Sequence, residues 1–128
     1  MMHDALIGFE RNDGTVTMNY LGSHGGLIHF GNISQRYSSI EDVQNLVEAS
    51  EHEGSGISSF NKDYKPSYYD DGDDLVIHYQ NTKEAVDDFL YGGIIDYFFL
   101  FRESVNRWYV YNRKESSLAD LFNAYVKL

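Results

Sequence analysis

Hydrophobic and polar positions alternate at the start of the chain. Ala5, Ile7 and Phe9 fall on one side of an extended segment, and Val16, Met18 and Tyr20 on one side of a second. A period of two marks strands, because successive side chains point to opposite faces. Between the runs stand Asp13 and Gly14. Asp-Gly suits a hairpin turn whose backbone needs positive φ. The pattern predicts a half-buried hairpin of strands over 5–9 and 15–20.

The period then changes. Ser39 followed by Asp42 matches a capping box, and Ile40, Val43, Leu46 and Val47 recur at helical spacing. Polar Gln44, Asn45 and Glu48 lie off that stripe, and the helix should end near Ser50. The stretch 54–72 holds the single proline, Pro66, and reads as an irregular surface segment with Ile57 and Phe60 as candidate anchors. A third strand follows at 75–79. Asn81 and Glu84 form another capping box, opening a helix with an apolar stripe of Ala85, Val86, Phe89 and Leu90, stopped by Gly92 and Gly93. Strands at 97–102 and 108–112 are close enough to form a hairpin. Ser117 and Asp120 give a third capping box. Leu118, Leu121, Phe122, Tyr125 and Val126 then predict an amphipathic C-terminal helix docked on the core.

The order is ββ-α-β-α-ββ-α. Hairpins at both ends predict an α+β fold: a mostly antiparallel five-stranded sheet with helices packed on one face. The 128 residues suit a single domain over 1–128, with no repeat or linker.

Composition narrows the function classes. Ten Lys and Arg face twenty Asp and Glu, for a formal charge of -10. Phosphate contacts need clustered basic residues, so direct binding of nucleic acid is disfavoured. Attraction to an anionic membrane surface is disfavoured for the same reason. An acidic surface is instead complementary to a basic groove on a partner protein. Eleven Tyr and eight Phe argue for a packed chain rather than an acidic disordered tail. There is no cysteine, so disulfides and thiolate metal sites are impossible. No apolar run approaches the ~20 residues of a membrane span, and the first residues carry no basic region. The expectation is a cytosolic chain without a targeting segment.

Several stretches invite chemistry. Tyr20 to Gly31 carries Gly22, Gly25, Gly26 and Gly31 with His24 and His29. A P-loop needs G-x-x-x-x-G-K-[ST], yet no Lys or Arg lies between Arg11 and Arg36. The glycine spacing does not give G-x-G-x-x-G either. The stretch fits a strand exit followed by a short helix near 27–37. The five histidines are scattered and supply no metal set. Asp70, Asp71, Gly72, Asp73 and Asp74 lack the alternate ligands and closing Glu of a calcium loop. No G-x-S-x-G elbow or paired acid–base carboxylates appear. The expectation is therefore no catalytic residues, no metal and no cofactor.

Three islands of the chain resemble a family of small tailed-bacteriophage proteins. That family has a strand running into Tyr-Cys-His-Trp-Asp-Gly-Tyr, a later Gly-x-Ile-Ser-Ser element, and a Tyr-rich strand pair with a tryptophan. Here 14–20 is similar to the lead-in, Leu46, Val47 and 56–59 to the middle element, and 97–101 with Trp108, Tyr109, Val110 and Tyr111 to the closing pair. At the signature itself Tyr20 and Gly25 match. Leu21, Gly22, Ser23 and His24 replace Cys, His, Trp and Asp, and Gly26 replaces the final Tyr. The resemblance brings no activity with it. It implies phage or prophage origin and an accessory role in the host cytoplasm.

Three functions stay open. The first is an inhibitory protein whose carboxylates imitate nucleic-acid phosphates in a host protein's basic groove, as in anti-defence. Its partner-binding residues would be Asp70, Asp71, Asp73, Asp74, Glu84, Asp87 and Asp88. The second is a homo-oligomeric accessory protein, a homodimer for instance, joined through tyrosines such as Tyr109 and Tyr111. The third is a small enzyme or small-molecule binder at the loop of Tyr20, His24 and Gly25.

Overall fold

The computed structural model describes residues 4–22, 27–53, 56–69, 75–92, 95–112 and 116–121. The chain opens with the expected hairpin, β1 (Ala5–Glu10) and β2 (Val16–Leu21). Its turn is closed by Thr15, whose amide and hydroxyl both donate to Asp13 Oδ1, at 3.0 and 2.7 Å. Gly14 supplies the positive φ of 90° that the turn requires. Next come α1 (Leu27–Arg36) and α2 (Ile40–Glu53). Ser39 caps α2 as its sequence foretold, accepting the Asp42 amide at 3.2 Å.

The segment 54–72, expected to be irregular, instead carries a second hairpin, β3 (Ile57–Phe60) and β4 (Pro66–Tyr68). Ile57 and Phe60 are buried and anchor it. The Asn61 side chain holds its turn by accepting the amides of Asp63 and Lys65. Pro66 is tolerated because it opens an edge strand. Then follow β5 (Ile77–Tyr79), α3 (Thr82–Gly92), β6 (Tyr97–Arg102), β7 (Arg107–Asn112) and β8 (Ser117–Asp120).

The expected C-terminal helix is corrected at its start, where 117–120 is a strand. The capping-box pattern is overridden by the open edge of β7, which pairs antiparallel with β8 from Asn112↔Ser117 to Tyr109↔Asp120. Leu118 and Leu121 are thereby shared between opposite faces of the sheet. Phe122, Tyr125 and Val126 lie outside the described residues.

Among the described residues eight strands join one mixed sheet, so the expectation of five mostly antiparallel strands is corrected. The order is β4-β3-β2-β1-β6-β7-β8, and β5 shares the outer edge of β2 with β3. The decisive pair is β1 with β6, parallel along its whole length from Ala5↔Tyr97 to Glu10↔Arg102. Residues distant in sequence thus form the centre. The outer β6–β7 hairpin is as expected.

Helices on one face is also corrected: they cover both. Phe98, Phe99, Leu100 and Phe101 are all fully buried although neighbours point to opposite sides. On one face Ile7, Phe9, Phe99 and Trp108 pack under α1 and α2. Phe30 stacks on Phe99 at 3.8 Å and meets Trp108 edge-on at 4.9 Å. On the other face Val16, Met18, Phe98 and Leu100 pack under Ala85 and Phe89 of α3.

A two-faced core makes a specific prediction. Phe98→Ala and Phe99→Ala should each cost about 3–5 kcal/mol in denaturant unfolding, by lost transfer and a residual cavity. A helix layer on one face alone would leave one of the two substitutions nearly neutral.

Candidate functional site

The acidic residues of α3 are positioned by its buried side. Asn81 caps the helix, its Oδ1 accepting the Glu84 amide at 2.8 Å. Ala85 and Phe89 face the sheet, with Phe89 against Phe98 at 5.4 Å and Tyr111 at 5.9 Å. Glu84, Asp87, Asp88 and Tyr91 follow i, i+3, i+4, i+7 and therefore form one outward stripe. The structure thus brings together three of the seven expected partner-binding carboxylates. Asp70, Asp71, Asp73 and Asp74 lie outside the described residues.

Each carboxylate of the stripe has a distinct setting. Asp87 accepts from Lys83 at 2.8 Å in an exposed i,i+4 pair. Such a pair is weak and easily exchanged. Asp88 accepts the Tyr79 hydroxyl from β5 at 2.5 Å, which ties the helix to the edge strand below it. Burial, and then the Asp88 carboxylate, push the Tyr79 phenol well above its ordinary value.

Apolar side chains accompany this acid. Tyr91 is 93% exposed at the end of the stripe, and Leu90 is 37% exposed beside it. Leu90 therefore leaves the buried stripe that spacing assigned to it. On β5, Ile77 is 47% exposed. Its register with Met18 puts it on the α3 side of the sheet. These anchors were not singled out from sequence, although the helical position of Tyr91 relative to Glu84 and Asp88 was there to find.

The glycine-rich stretch has a structural account as far as it is described. Gly22 donates to Ile57 O at 2.9 Å, and a Cβ there would come 2.3 Å from the Tyr69 hydroxyl. Any larger residue at the strand exit would have to displace the Tyr69 hydroxyl. Tyr20 lies beside Tyr69, with ring centroids 6.0 Å apart. Burial, and then a hydrogen bond to Asp4, raise its phenol well above the ordinary range. A phenol held this firmly protonated is a poor acid. His24 and Gly25 lie outside the described residues. His78 is engaged with Thr17 Oγ1 at 2.9 Å. Among the described residues no three His, Asp or Glu converge to hold a metal ion.

The tyrosines proposed as oligomer contacts serve the monomer. Tyr111 packs on Phe89. The Arg102 guanidinium lies 4.7 Å over the Tyr109 ring. No helix among the described residues is long and apolar enough to cross a membrane.

Comparison with known proteins adds no relative: no family model, no curated protein and no solved structure matches this chain significantly.

The raised tyrosines fix a pH dependence. An unfolded tyrosine releases its proton near the ordinary value of 10.0, whereas folded Tyr20 and Tyr79 hold theirs to higher pH. The folded state therefore binds more protons in alkali, and stability must fall as pH rises above about 10. Below that value their contribution is intact. Urea unfolding across about pH 8–12 should show the decline, and Tyr20→Phe with Tyr79→Phe should flatten it. An unchanged slope in the double variant would contradict the assignment.

Proposed function

We propose that this protein is a binding module that engages a basic, nucleic-acid-binding surface of another protein through the outward face of α3. The observation that carries the reading is the α3 stripe itself. Glu84, Asp87 and Asp88 stand in line with a 93% exposed Tyr91. Interfaces combine a desolvated aromatic anchor with a polar rim, and complementary charge sets the association rate. The -10 charge adds a long-range field of the same sign. Asp70, Asp71, Asp73 and Asp74, just before β5 in sequence, add four carboxylates to that field. Occupying the groove in place of phosphates would inhibit the partner. The three-island likeness to phage proteins supports a host protein as that partner and the host cytoplasm as the setting.

A homodimer through this face is disfavoured on physical grounds. A two-fold contact sets the same patch against itself. The acidic stripe of Glu84, Asp87 and Asp88 would then face the same stripe on the copy, and like charges repel.

The test is capture from bacterial lysate with wild type and two variants. One variant carries Glu84→Gln, Asp87→Asn and Asp88→Asn, and the other Tyr91→Ala. The expected captures are nucleic-acid-binding proteins released by rising salt and by competing duplex DNA. The charge variant should slow association about 10-fold at low salt. Tyr91→Ala should accelerate dissociation by about 10-fold or more. A partner that binds both variants like wild type, or that holds DNA and this protein together, would overturn the proposal.

A further inference from the structure

Two arginines stand side by side at the end of the β6–β7 hairpin. The register sets Arg102 directly opposite Arg107, so both side chains rise from the same face of the sheet. Like charges in that position destabilise a strand pair. The chain has ten basic residues against twenty acidic ones, so placing two together is costly use of scarce cations.

Each arginine is held rather than consumed by a carboxylate. Arg102 Nε lies 3.5 Å from Glu10 Oε1, and Arg107 Nη1 lies 3.3 Å from Asp120 Oδ2. Both separations exceed the ~2.7–2.9 Å of a strong charge-assisted hydrogen bond. Arg102 Nε is buried and makes no hydrogen bond. Its guanidinium is instead steadied over Tyr109. Glu10 is fixed in turn by the hydroxyl of Thr82, at the start of α3. The Arg102 side chain stays 30% exposed and that of Arg107 69% exposed, so a ligand can reach both.

We propose that Arg102 and Arg107 bind a phosphate group, free or as a small-molecule monoester, with Glu10, Asp120 and Tyr109 orienting the two guanidinium forks. A planar fork presents paired N–H donors at the spacing of phosphate oxygens. One tetrahedral dianion between the two arginines relieves their repulsion and offers shorter contacts than the 3.3 Å hydrogen bond from Arg107 to Asp120 and the 3.5 Å approach of Arg102 to Glu10. The acidic remainder of the chain opposes approach, but its field is screened beyond about 8 Å at physiological salt. Short contacts therefore decide the affinity. The site lies at the Thr82 end of α3, whereas Tyr91 marks the other end, and it does not depend on the protein-binding reading.

The experiment is an NMR titration of the isotope-labelled full chain at constant ionic strength. Inorganic phosphate and glycerol phosphate are added separately, with sodium chloride as control. Saturable shifts are expected at Arg102, Arg107 and Tyr109 with both phosphates. Equal affinities assign recognition to the phosphate group alone, and a tighter ester assigns a monoester ligand. Arg107→Gln, at an exposed position, should fold and weaken binding about 10-fold or more. Arg102→Lys keeps the charge but loses the fork, and should weaken it as well. No saturable shift, the same shifts with chloride, or undiminished binding by Arg107→Gln would overturn the proposal.

Discussion

Everything in this structure follows from β1 and β6 lying side by side in parallel with both faces covered. Parallel strands at the centre of a sheet are stable only when each face is buried. That demand explains why Phe98 and Phe99, adjacent in sequence, are both fully enclosed. It also explains why the helices divide, with α1 and α2 on one side and α3 on the other. Once Ala85 and Phe89 are committed to the sheet, the 3.6-residue period turns Glu84, Asp87, Asp88 and Tyr91 to solvent. The candidate surface is thus a geometric consequence of the core.

Local features were legible in the sequence because local physics decides them. Asp13 and Gly14 made the predicted turn, and Ser39 and Asn81 made the predicted caps. The stripes of α2 and α3 buried the expected Val43, Leu46, Ala85 and Phe89. Partner choice between strands was not legible, since nothing local in Ala5–Glu10 specifies Tyr97–Arg102 as its neighbour. The pair 57–60 escaped detection because Ser58 and Ser59 separate its buried ends. Ser117 to Asp120 satisfied a helix-cap pattern and became a strand because β7 offered unpaired backbone groups. Of the site, the carboxylates of α3 were visible as charge. Their company of exposed Tyr91, Leu90 and Ile77 emerged only when packing settled which apolar residues stay outside.

The same face of the sheet carries two contrasting surfaces. Over β2 and β5, α3 presents carboxylates with apolar anchors. Beyond its first turn, Glu10, Arg102, Arg107 and Asp120 form a row across β1, β6, β7 and β8 in which two adjacent arginines are flanked by a carboxylate on each side. Thr82 links the two by donating to Glu10. On the first surface the Tyr79 hydroxyl, donating to Asp88, ties β5 to α3.

The central claim is that the outward face of α3 is the contact surface for a protein partner. Hydrogen–deuterium exchange of this protein, free and in complex with a captured partner, tests it most directly. The account predicts slowed exchange concentrated in Lys83 to Tyr91 and in β5, with β7 and β8 unchanged. Slowing confined to β7 and β8, or to the α1–α2 side, with α3 exchanging as in the free protein, would contradict it.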